Sequence, residues 1–223
     1  MNPGSPETSH QNPNGTITTE SLSHLDQWAI APILKFEPQI LAQDKWQEMI
    51  ENTQADGNER GIVISWDGKK LLESKVFSGT EAGIVSPGLP HGLKTLSPFI
   101  NELVNIHTHP LPQDLKVPTT IFSDLDINAL LKRSLKALVV LDKGGVHMLS
   151  RTPYSSYFSD PEQGDKPVRI SNEVIGIAEN NTGLIAEARL EMAKRLKPLG
   201  INYYYSPDLN LSADRLVELA QVR

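Results

Sequence analysis

The residues best suited to chemistry are His107 and His109, in the run Asn105 to Pro110 (NIHTHP), and Ser123 and Asp126, in Phe122 to Asp126 (FSDLD). Side chains two apart on an extended strand share one face, roughly 6.5 Å apart along the chain. His107 and His109 can therefore close on a single metal ion from one side. Catalytic zinc typically takes three protein ligands and keeps a further position for water. Asp126 is the natural third ligand, because it falls in the first turn of the helix that Ser123 begins, and Ser123 lies beside it. Pro110 stops the strand directly after the second histidine and turns the chain away, leaving the ligands at a sheet edge that substrate can reach. Each piece also has a plain structural reading: a lone histidine is commonly structural or solvated, and S-x-x-D before an apolar periodic run is a capping-box-like helix start. Found together between positions 107 and 126, they point to a metal site, and a cap and a ligand are compatible roles.

The elements that must position these groups can be read from hydrophobic periodicity. Ile40, Leu41, Trp46, Met49 and Ile50 recur near helical spacing, and the breaker run Asn52 to Asn58 ends that helix. Gly61 to Trp66 is a β-branched strand, Asp67-Gly68 a hairpin turn, and Lys70 to Phe77 the return strand. Gly79 to Pro98 reads mainly as loop, and Phe99 to His107 as a strand carrying the histidines at its C-terminal end. Ser123 to Ser134 has Leu125, Leu130 and Leu131 on a helical pattern; Ala137 to Leu141 and Val146 to Leu149 are two strands around Lys143-Gly144-Gly145. A polar segment with Tyr154, Tyr157 and Phe158 runs from Arg151 to about Pro167. Beyond it Leu184 to Leu196 is an amphipathic helix closed by Pro198 and Gly200, and Leu211 to Val222 is another, with Ser212 as its cap. The interleaved order predicts an α/β fold, a mixed-sheet sandwich with helices on both faces. The expected organisation is a flexible tail over 1–22, a core domain over 23–165 and an α-helical C-terminal extension over 166–223.

Composition narrows the function classes. With 39% apolar and 22% charged residues the chain has the makings of a globular core. Its net charge of -6 speaks against a generic nucleic-acid binder, which needs clustered Lys and Arg. There is no apolar run of membrane-spanning length, and the opening residues lack the pattern of a secretory signal, so cytoplasmic location is expected. The sequence holds no cysteine, which excludes thiolate zinc, iron-sulfur clusters and cysteine nucleophiles; any metal must rest on His, Asp and Glu.

H-T-H-P followed by S-D-L-D resembles the JAMM motif of the JAB/MPN zinc metallopeptidases, H-[ST]-H-P then S-x-x-D, with an upstream glutamate at the start of the strand after the first helix. The resemblance covers roughly Gln39 to Ser150 in element order. It implies a cytidine-deaminase-like fold and a zinc ion (Zn2+) held by His107, His109 and Asp126. It also implies Glu59, in Asn58 to Ser65 (NERGIVIS), as the general acid/base, and Ser123 as the donor to the oxyanion formed on attack at the scissile carbonyl. The implied activity is peptidase or isopeptidase hydrolysis of an amide bond, at the family level at the C-terminal tail of a ubiquitin-like carrier protein. The plain reading of Glu59 is a solvated loop carboxylate after Gly57, and Glu51 and Glu73 are its substitutes if the register slips. Two departures bear on this. The family's E-x-x-G stands here as E-R-G, and thirteen residues, Pro110 to Phe122, separate the second histidine from Ser123, longer than the family's usual spacing. Lengthening a surface loop costs little, so the extra residues within Leu111 to Pro118 can loop out over the site.

Other chemistries lack their residues. A nucleobase deaminase would need P-C-x-x-C, and H-E-x-x-H, G-x-S-x-G and the P-loop pattern are all absent. Two rivals remain: an interaction scaffold of the same fold whose C-terminal helices dock a protein partner, and a RadC-like protein linked to DNA metabolism, which the acidic balance disfavours for direct DNA binding. Thr108 and Asp124 lie within the motifs without a role that spacing assigns; His91 and His147 lack partner spacing, and His10 and His24 belong to the tail or its edge.

Overall fold

The computed structural model describes residues 43–66, 71–79, 101–110, 122–132, 135–143, 145–152, 155, 161–180, 185–207, 209 and 217–219. The tail over 1–22, the Asp67-Gly68 turn, the loop over Leu111 to Pro118, and His10, His24 and His91 lie outside them. Helix α1 spans Gln43–Asp56. It buries Trp46, Met49, Ile50 and Thr53, the one-sided spacing of an amphipathic helix. Gly57, at φ 77, ends it: the amide of Gly57 donates to the Thr53 carbonyl at 2.9 Å, a left-handed stop that suits glycine. The chain then enters strand β1, Arg60–Trp66, after a turn that the Arg60 guanidinium locks by gripping both carboxylate oxygens of Asp56, at 2.6 and 2.5 Å. That contact holds the Asp56 carboxyl well below the usual carboxylate range.

The return chain from β1 is two short strands, β2 (Leu71–Glu73) and β3 (Phe77–Ser78), both antiparallel to β1. The continuous strand expected over Lys70 to Phe77 is thus interrupted. At the break Ser74 keeps the ladder closed, its amide donating to the Val63 carbonyl and its Oγ accepting from the Val63 amide, each at 2.9 Å. Strand β4, Asn101–Thr108, lies antiparallel to β1 on the other side. Helix α2, Asp124–Lys132, carries the chain to β5, Ala137–Asp142, which runs parallel to β4. Every residue of β5 is buried, as a central strand covered on both faces must be. Strand β6, Gly145–Arg151, returns antiparallel to β5.

Two corrections concern the second half. Helix α3, Pro161–Asn180, occupies a stretch the periodicity did not resolve, with Pro161 at its first position, where a missing N–H is harmless. Helix α4, Ile185–Leu196, agrees with expectation, and the 3-10 turn Lys197–Leu199 and Gly200 at φ 73 end it. Residues Ile201–Ser206 then form strand β7 against β6, and Val217–Glu218 form strand β8 against β7. The segment 166–223 is therefore not a purely helical extension, and 217–219 does not belong to the helix expected from Leu211. A backbone that lies at a sheet edge satisfies its amides by pairing, and that tertiary demand overrides a short helical period.

The fold is α/β, and among the described residues eight strands form one mixed sheet ordered β2-β1-β4-β5-β6-β7-β8, with β3 also on β1. Ile62, Ile64, Val104, Ile106, Val139 and Leu141 pack under Trp46, Met49 and Ile50 of α1 on one face. The other face buries Leu138, Val140, Leu149, Ile201 and Tyr203 beneath α2, α3 and α4, through Ile127, Leu130, Val174, Met192 and Leu196. Helices thus cover both faces, and among the described residues no helix is long and apolar enough to cross a membrane.

Gly145 starts β6 at φ 128, and a Cβ there would stand 2.0 Å from the Ser206 carbonyl oxygen. Gly145→Ala is expected to lose stability by at least about 1–3 kcal/mol from backbone strain alone, read as an earlier midpoint in urea unfolding.

Candidate metal centre

Strand β4 points Val104 and Ile106 into the core under α1, so Asn105 and His107 face the opposite side, toward α2. His109 continues that alternation one position beyond the strand, its amide donating to the Leu141 carbonyl at 3.2 Å. Helix α2 begins beside the C-terminal end of β4, where a βαβ connection commonly forms a site. Ser123 caps it reciprocally: the Asp126 amide donates to Ser123 Oγ at 3.1 Å, while the Ser123 amide and hydroxyl donate to Asp126 Oδ2, each at 2.8 Å. This is the capping reading of S-x-x-D, and it fixes the orientation of Asp126.

The cap delivers the carboxylate to the histidines. Asp126 Oδ1 stands 3.1 Å from His107 Nε2 and Oδ2 stands 3.5 Å from His109 Nε2, with 3.1 Å between the two ring nitrogens. Ligands about 2.0–2.1 Å from an ion at tetrahedral angles stand about 3.3 Å from one another, so the observed spacing fits one small cation. All three residues are buried, and together they can hold a metal ion. Burial pushes the Asp126 carboxyl up, but the His109 and His107 rings and the hydrogen bonds from His107 and Ser123 outweigh it and hold the group well below the carboxylate range. A carboxylate that remains ionised when buried is the form a cation requires. His107 Nδ1 lies 3.2 Å from Asn105 Oδ1, an acceptor for Nδ1–H that would leave the Nε2 lone pair to a metal ion once the ion replaces the contact with Asp126.

The sheet register separates the three candidate glutamates. Gly61 pairs with His107, so Glu59, two residues earlier, lies abreast of His109 and on the same face by alternation. Its backbone is clamped on one side by the Gly79 amide, 2.8 Å from the Glu59 carbonyl, and on the other through Arg60, whose amide donates to Thr108 Oγ1 at 2.9 Å. Glu73 pairs with Ile64, on the opposite face, and forms an ion pair with Lys45 of α1. Glu51 is exposed on α1 and accepts from Gln47 at 2.9 Å. Of the three, Glu59 shares the face of the histidines.

Thr108, to which spacing assigned no role, is the joint of this corner. Fully buried between the histidines, its Oγ1 also meets Thr53 Oγ1 of α1 at 2.5 Å, linking α1, β1 and β4. A hydroxyl in the middle of H-T-H was the available sequence signal: it has no place among the apolar residues on that face unless it is hydrogen-bonded. Comparison of the chain with protein-family models, curated proteins and solved structures finds no match in any of the three.

Thr108→Val keeps the volume but leaves the Arg60 amide and the Thr53 hydroxyl without this partner, which is expected to cost about 1–3 kcal/mol. Urea unfolding measures it, and Thr108→Ser should recover most of the loss.

Proposed function

We propose that the chain is a zinc-dependent peptidase or isopeptidase of the JAMM (JAB/MPN) type, with a cytidine-deaminase-like core. One observation carries this reading: the donor atoms of His107, His109 and Asp126 lie 3.1 to 3.5 Å apart at the end of β4, with Glu59 abreast of them on the same face. The order of elements from α1 to β6 supports it, since a glutamate leads the first strand, the histidines close the fourth and the aspartate opens the helix that follows. Histidine and carboxylate donors in a three-residue set suit zinc.

Zinc at these donors would supply Lewis-acid polarisation of the scissile carbonyl and acidify a water molecule. Glu59 accepts the proton of the attacking water and delivers it to the departing amine, so that one carboxylate serves as base and then as acid. The Gly79 amide on the Glu59 carbonyl and the Thr108 hydroxyl on the next amide, that of Arg60, hold the backbone from which that carboxylate extends. Ser123 is the candidate donor to the oxygen that gains charge in the transition state. Its hydroxyl points at Asp126 Oδ2, so this role requires rotation of the O–H about Cβ–Oγ. The substrate class we favour is an amide at the flexible C-terminal tail of a small carrier protein, because an extended tail can reach a site at a strand end.

Purified protein is expected to contain about one zinc ion per chain by elemental analysis, with the ion lost or strongly weakened in His107→Ala, His109→Ala and Asp126→Ala. Glu59→Gln should retain zinc and lose about 10²–10⁴-fold in turnover of tail-linked carrier conjugates or unstructured peptides, followed by mass spectrometry. Wild-type protein that cannot be loaded with zinc would overturn the proposal. Zinc-loaded protein that leaves every substrate intact while capturing a carrier protein would instead favour a binding scaffold.

A further inference from the structure

We propose that Asp142 and His147 form the outer shell of the metal centre on the His109 side, with Asp142 accepting the Nδ1–H of His109. This inference rests on the metal-binding reading above. The parallel ladder pairs His107 with Val140 and Thr108 with Leu141, and the bond from the His109 amide to the Leu141 carbonyl continues it. His109 therefore stands abreast of Asp142, and by alternation both point to the α2 face. On the next strand His147 pairs with Val140, which places it diagonally across from Asp142, and its Nε2 is 3.4 Å from Asp142 Oδ2. The register thus sets the Asp142 carboxylate on the face that both imidazoles share.

The rest of the row sets further buried polar groups beside Asp142 and His147. Asp142 and Tyr203 are fully buried and His147 almost so. Tyr203 Oη is 3.0 Å from His147 Nδ1. Burial pushes the Tyr203 hydroxyl well above its ordinary range, so it stays protonated and can donate to Nδ1. Burial also lowers the His147 pKa despite the pull of Asp142, which favours the neutral ring, and its Nε2 faces Asp142 Oδ2 at a distance too long for a good hydrogen bond. The Tyr205 ring covers His147 at 4.9 Å between centroids, and the Arg189 guanidinium lies 5.4 Å from the Tyr205 ring centre. The groups facing His147 are therefore Asp142 from β5, His109 beyond β4, Tyr203 and Tyr205 from β7 and Arg189 from α4. His109 has its Nε2 at Asp126, 3.5 Å away, which leaves Nδ1 as its second donor. A ligating histidine commonly gives that N–H to a carboxylate, which sets its tautomer and raises its basicity. Asn105 serves His107 in the same way. Asp142 is a positioning residue: it acts on the metal through His109 and touches no substrate.

The test uses the full chain, with zinc affinity measured by chelator competition and the imidazole N–H resonances by NMR. The His109 ring signal is the one that vanishes in His109→Gln. Asp142→Ala and Asp142→Leu are expected to weaken zinc binding about 10–100-fold and to shift or abolish that signal, in metal-free as well as zinc-loaded protein. Asp142→Asn, which restores the packing and keeps a weaker acceptor oxygen, should recover part of the affinity yet still shift the His109 signal, and that shift is what a purely packing role would not produce. His147→Gln should shift the same resonance less. Should the Ala and Leu variants not fold, Asp142→Asn and His147→Gln carry the measurement through the His109 signal. Wild-type affinity in every Asp142 variant, or an unmoved His109 resonance, overturns the inference while leaving the metal site standing. Wild-type protein that binds no zinc removes both, a result the competition assay reports separately.

Discussion

A strand must offer successive side chains to opposite faces, and β4 uses that alternation to join the core to the site. Val104 and Ile106 enter the apolar layer beneath α1, whereas Asn105, His107 and, one step on, His109 turn toward α2. Thr108 holds the strand end by hydrogen bonds to both α1 and β1. Each other part of the site depends on this strand keeping its register. Slippage by one residue would send the histidines into the α1 layer and bring Ile106 and Thr108, or Thr108 and Pro110, to Asp126. The well-packed layer under α1 is thus what prevents the site from losing its ligands.

Burying three polar side chains together is costly unless each finds partners, and the site meets that condition within itself. Asp126 takes two hydrogen bonds from its own helix cap and faces both rings, while Asn105 holds His107. The cap matters twice. It satisfies an amide at the start of α2, and it aims a carboxylate that would otherwise rotate freely about its side-chain torsions.

The site was more legible in the sequence than the fold around it. His107, His109 and Asp126 could be read because period two on a strand and the first turn of a capped helix are local rules. Glu59 needed a register between strands about forty residues apart in sequence, roughly a long-range property that no local pattern contains. The same limit explains the second half of the chain. Ile201–Ser206, INYYYS, has the aromatic and β-branched character of a strand, but only pairing with β6 makes it one. Val217–Glu218 falls within the run Leu211 to Val222 that reads as helical, yet pairs antiparallel with β7. Asp142 and His147 looked unconnected in sequence, since what unites them is adjacency across a hairpin and a buried tyrosine from a third strand.

The ligand set also has a chain-topology consequence. Both histidines precede the crossover into β5 and the aspartate lies within it, so coordination would tie the end of β4 to the start of α2 and close the intervening segment into a ring. Closing a ring becomes only slightly harder as it grows, by about 0.6 kcal/mol for each doubling of its length. The number of residues between Pro110 and Phe122 would accordingly weigh little on the closure of that ring.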